Sequence, residues 1–164
     1  MKSNIVLIGM PGAGKSTIGV ILAKSLLKSF IDTDLLIQGQ YCKSLCDIIE
    51  QKGTDAFLKI ENDIIKQQIF NNAVVATGGS AVYGEEAMKK LKENSIIVYL
   101  SIPISELQRR IKDIHTRGVA MKNGTTLEEL FAERKSLYEK YADIVIDCEG
   151  LTPEQCVDKI AEAL

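Results

Sequence analysis

One stretch constrains this chain more than any other, Gly9-Met-Pro-Gly-Ala-Gly-Lys-Ser16. It fits G-x4-G-K-[ST] at every defined position. The apolar run at 4–8, NIVLI, precedes it. The residues from 15 to about 28 place Ile18, Ile21, Leu22 and Leu26 at helical spacing. A strand that turns through glycines into a helix is the context in which this motif cradles phosphate. The glycines let several backbone N–H groups point inward, and the positive end of the helix adds to their pull. Lys15 is placed to reach the β- and γ-phosphates and the Ser16 hydroxyl to ligate Mg²⁺. Gly12, Ala13, Gly14, Lys15, Ser16 and Thr17 are therefore assigned to a nucleoside triphosphate.

The rest of the chain alternates short apolar runs with helical patterns. Strands are expected at 30–32, 73–76, 95–100 and 144–147. Helices are expected at 45–51, 55–70 and 85–93. Another has Pro103 in its first turn and runs to about 112. A long one at 125–141 opens with a capping box, Thr125 to Glu128. The last covers 152–164, opened by Pro153. Five short apolar strands between helices argue a parallel sheet covered on both faces. The 164 residues suit a single domain spanning the chain. Residues 113–124 show neither period, hold two glycines and read as a mobile loop.

Composition narrows the function. A net charge of −2 argues against a nucleic-acid partner held by basic charge. No apolar run approaches the roughly 20 residues that span a bilayer, so no membrane role and a cytoplasmic location are expected. Cys42 and Cys46 lack the neighbours that zinc spacing requires, and all four cysteines are expected as reduced thiols. The guanine-reading N-K-x-D is absent. What remains is a small kinase with a metabolite or nucleotide as acceptor.

Asp32-Thr-Asp34 ends the second strand. In an open parallel sheet, ligands bind at that edge. One carboxylate can hold Mg²⁺ through water while the other accepts a proton from an acceptor hydroxyl. The competing reading is that Asp34 only caps a helix at 35–40.

Taken in order, these motifs resemble the shikimate kinases, small relatives of the nucleoside monophosphate kinases. The resemblance rests on GMPGAGKST (9–17), DTD (32–34), Gly53-x3-Phe57-x3-Glu61, Thr77-Gly78-Gly79, Arg117, and Glu133-Arg134-x3-Tyr138-x3-Ala142. It implies a three-layer α/β/α fold with a five-stranded parallel sheet and a closing lid. It also implies transfer of the ATP γ-phosphate to the 3-hydroxyl of shikimate, with Mg²⁺, by a protein expected to be a monomer. The resemblance makes Lys15, Asp34 and Arg117 catalytic. Ser16 and Asp32 would serve the metal, and Arg110 would pack on adenine. Asp34, Gly78, Gly79 and Arg134 would bind the acceptor.

Three positions depart from the family pattern. Leu58 stands where F-R-x-x-E has arginine, Ser80 where a turn has a third glycine, and Gly118-Val-Ala-Met121 where the lid has P-L-L. Losing one charge-assisted contact costs roughly 1.5–3 kcal/mol of binding where nothing replaces it. The arginines sharpen this point. The chain holds only four, Arg109, Arg110, Arg117 and Arg134, against 16 lysines, and three of the four match family positions. The rival readings are a related kinase for another small hydroxy acid or polyol, and an ATP-binding regulatory module.

Overall fold

A computed structural model describes residues 2–111 and 118–164. Strands β1 (Asn4–Ile8), β2 (Ser29–Asp32), β3 (Ala73–Ala76), β4 (Ser95–Ser101) and β5 (Ile144–Asp147) form one sheet in the order β2-β3-β1-β4-β5. Every pairing is parallel; Val6, for example, lies between Val75 of β3 and Ile97 of β4. All residues of β1 and β3 are buried. Unbroken apolar runs are what a parallel strand covered on both faces requires.

Helix α1 (Lys15–Ser25) packs on β1, β2 and β3 and against the last helix, which runs over Pro153–Ala163. Between them come α2 (Thr33–Tyr41), α3 (Leu45–Lys52), α4 (Thr54–Gln67), α5 (Glu85–Glu93), α6 (Ile104–Arg110) and α7 (Leu127–Tyr141), so the last helix is α8. Helices α5 and α7 pack on β4. Helices α2, α3 and α4 gather around their own small core of Ile37, Ile48, Phe57 and Ile64. No helix among the described residues is long and apolar enough to cross a membrane. The α/β class and the five parallel strands are as expected.

Some local expectations are corrected. The capping box of α7 is Thr126 with Glu129, one residue later than expected. Pro103 sits before the first turn of α6 as its cap, not within it. Helix α4 stops at Gln67 because Gln68 is extended. A short 3₁₀ turn at Ala81–Tyr83 had no sequence signal. Because all strands are parallel, the loop after β1, Asp32 at the end of β2 and the turn after β3 emerge along one edge.

Candidate active site

The loop between β1 and α1 carries left-handed backbone at Gly12 (φ 82°) and Gly14 (φ 95°), the latter capping α1. Glycine adopts that geometry without the strain a side chain would add. Lys15 is buried, and its Nζ donates to the Gly9 carbonyl at 2.7 Å and the Met10 carbonyl at 2.8 Å. Burial pulls its pKa down to about 8, against the opposing pull of Asp34. The Ser16 hydroxyl donates to Asp32 Oδ2 at 2.6 Å.

Asp32 has a second task. Its Oδ1 accepts from the Asp34 N–H at 3.0 Å, which caps α2. The capping reading therefore belongs to Asp32, not Asp34. Freed of that task, Asp34 lines the cavity. Burial, and then the charge of Asp32, push its carboxyl up to about 6, with Lys15 opposing.

The turn after β3 forms the opposite wall. The Gly78 N–H donates to Thr33 Oγ1 at 3.2 Å, and the Gly79 carbonyl accepts from Tyr138 Oη at 2.6 Å. Tyr138 stacks on Tyr99, with ring centroids 5.1 Å apart. Tyr138 therefore both packs on Tyr99 and, through its hydroxyl, holds this turn. Its i+4 spacing from Arg134 puts both on one face of α7. A Cβ at Gly78 would stand 2.5 Å from Glu61 Oε1 and 2.6 Å from Asp34 Oδ1. Gly78→Ala is therefore expected to lower kcat/KM for the acceptor by at least about tenfold, because both buried carboxyls must move. Steady-state kinetics check this.

Arg134 is fully buried. Its Nη2 donates to the Ala120 carbonyl at 2.5 Å, its Nε to Tyr83 Oη at 3.4 Å, and its guanidinium lies 5.4 Å from the Tyr83 ring centre. Among the described residues no carboxylate lies within 4.0 Å of it as an ion-pair partner. Its Nη1 is 2.9 Å from where a Gly79 Cβ would stand.

One cavity of about 600 Å³ unites these groups, lined by Gly12, Gly14, Lys15, Ser16, Thr17, Asp34, Gly78, Gly79, Arg110 and Arg134. Ala13 is buried in the loop core. Arg110 reaches the Gly12 carbonyl at 3.3 Å and pairs with Glu106. Arg117 and His115 lie outside the described residues. Among the described residues, Leu58 does not line this cavity. It packs on the α2–α4 core and lines a neighbouring cavity with Tyr83 and Glu133. Ser80 does line the cavity.

The profile of the shikimate kinases matches residues 11–164. The chain belongs to the shikimate kinase family. A shikimate kinase of Persephonella marina is 38% identical over 158 residues, covering 96% of each chain. The solved shikimate kinase of Aquifex aeolicus is 33% identical, with a TM-score of 0.83 over 98% of this chain and 95% of that one. That of Acinetobacter baumannii, solved in complex with shikimate, is 28% identical, with a TM-score of 0.88 over 98% and 92%. Members of the shikimate kinase family are ATP-dependent phosphotransferases acting on an alcohol group, and this chain is such an enzyme.

Proposed function

We propose that this chain transfers the γ-phosphate of ATP to the 3-hydroxyl of shikimate. The observation that carries this reading is Arg134. It is a buried guanidinium with no carboxylate within 4.0 Å among the described residues, lining the same cavity as Lys15 and Asp34. An unpaired buried charge is costly, so the site favours an anionic acceptor that supplies the missing partner. Shikimate offers a carboxylate for Arg134 and hydroxyls for Asp34. The complex of the Acinetobacter baumannii relative with shikimate supports the same acceptor.

In the proposed mechanism the phosphate loop and Lys15 hold the triphosphate and neutralise charge on the β- and γ-oxygens. The Gly78–Gly79 turn and Arg134 fix the acceptor, so that its hydroxyl faces the γ-phosphate. Asp34 orients that hydroxyl and takes its proton as the new P–O bond forms and the bond to ADP breaks. Positioning and electrostatics supply nearly all of the rate in such transfers. Ser16 and Asp32 suit Mg²⁺, being hard oxygen donors held 2.6 Å apart beside the phosphate loop. The bound ion would screen the phosphate charge. Arg110, held by Glu106, is the candidate for the adenine side.

Phosphorus NMR of the product tests the reading. A phosphate ester on the 3-hydroxyl is expected. Phosphate on another hydroxyl, or free phosphate alone, contradicts it.

A further inference from the structure

Glu61 and Ser80 are both buried, on different elements, and meet directly, with Ser80 Oγ donating to Glu61 Oε2 at 2.5 Å. Glu61 Oε1 has no hydrogen-bond partner among the described residues. Leu58 lies one turn before Glu61 on the same side of α4 and offers no donor. Arg134 acts on Glu61 only through its charge. Ser80 is thus the donor that a deeply buried carboxyl depends on, and losing such a donor exposes the full cost of burial.

The placement of this pair gives it a functional consequence. Ser80 belongs to the turn that lines the acceptor end of the cavity, and the bond ties that turn to α4. The unpartnered Oε1 stands behind Gly78, crowding the same point as Asp34 Oδ1. A shift of Glu61 therefore moves the surface on which the acceptor rests relative to Asp34.

We propose that Ser80 and Glu61 form a positioning pair that sets the 78–80 turn against Asp34 and so determines acceptor affinity, Ser80 supplying the donor that Leu58 cannot. The pair deepens the shikimate reading and, for its kinetic arm, rests on it. Ser80 and position 58 then act together, because a cation at 58 would offer Glu61 a second donor one turn away.

The test compares Ser80→Ala, Glu61→Ala, Glu61→Gln and the double variant Leu58→Arg/Ser80→Ala. Ser80→Ala and Glu61→Ala are expected to raise the KM for shikimate by at least about tenfold while the KM for ATP stays within about twofold. Glu61→Gln, whose amide oxygen still accepts from Ser80, is expected to keep most of the affinity. Leu58→Arg is expected to restore affinity in the Ser80→Ala background. An unmoved shikimate KM, an equal rise in both KM values, or no restoration by Leu58→Arg overturns the pair.

A second measurement needs no acceptor. Carbon NMR follows the Glu61 carboxyl, which burial raises to about 7 while the Ser80 bond lowers it; Asp34, Arg134 and Lys15 are the charged groups around it. Losing the bond destabilises the anion, so Ser80→Ala is expected to move the midpoint upward. An unmoved midpoint overturns the pair whatever the acceptor is. An upward shift in a protein that binds ATP but ignores shikimate upholds the pair and overturns only the choice of acceptor.

Discussion

Lys15→Ala is expected to lower turnover by more than about a hundredfold, because charge neutralisation at the transferring phosphate is most of what such an enzyme supplies. The lysine is the cation built into the phosphate loop, tethered to two loop carbonyls and lining the cavity. Among the described residues, Arg134 is held on the acceptor side by Ala120 and Tyr83 and Arg110 is paired with Glu106, so neither is placed to substitute for Lys15. Burial also sets a pH dependence for nucleotide binding. The ammonium is charged below about 8 and loses its proton as pH rises through that value. Nucleotide affinity of the free protein is therefore expected to fall above about 8, while bound phosphate holds the proton to higher pH. Turnover at saturating shikimate, with a parallel nucleotide titration, checks both. A near-wild-type rate for Lys15→Ala would remove the residue from the mechanism.

Asp34→Asn is the second large effect. It keeps the shape of the side chain and removes the base, so transfer is expected to be abolished while ATP still binds. The wild-type rate carries the matching pH signature. Asp34 is raised to about 6 by burial and by Asp32, and only its ionised form accepts the proton. The rate is thus expected to rise as pH increases through about 6 and to level above it. Retained transfer in Asp34→Asn would exclude Asp34 as base. Loss of ATP binding instead would place Asp34 in the metal site.

The parts of this enzyme that sequence made legible are those governed by short-range rules. The apolar runs at β1 and β3 announced strands buried on both faces, and the glycine spacing announced the loop that holds Lys15. The misplaced details turn on choices between equivalent neighbours. Thr125 with Glu128 and Thr126 with Glu129 both fit a capping box, and the path of the chain selects the second. Asp32 and Asp34 are both plausible caps, and the end of β2 leaves only Asp32 in extended conformation before the helix. Contacts between distant elements were beyond reach. Nothing in the spacing of Glu61 and Ser80 tells that they meet, and nothing in F-L-K-I-E tells that Leu58 turns toward Tyr83 and Glu133 rather than the acceptor. Those pairings follow from how α4 lies against the turn after β3.

Arg134, Asp34 and Lys15 line one cavity, proposed to take an anionic hydroxylated acceptor together with ATP. Coupled ADP release with and without millimolar shikimate tests that pairing. Saturable, shikimate-dependent release is expected, matched by equimolar phosphorylated shikimate, with only slow release without the acceptor. ATP binding with no shikimate-dependent release at millimolar concentration would contradict it.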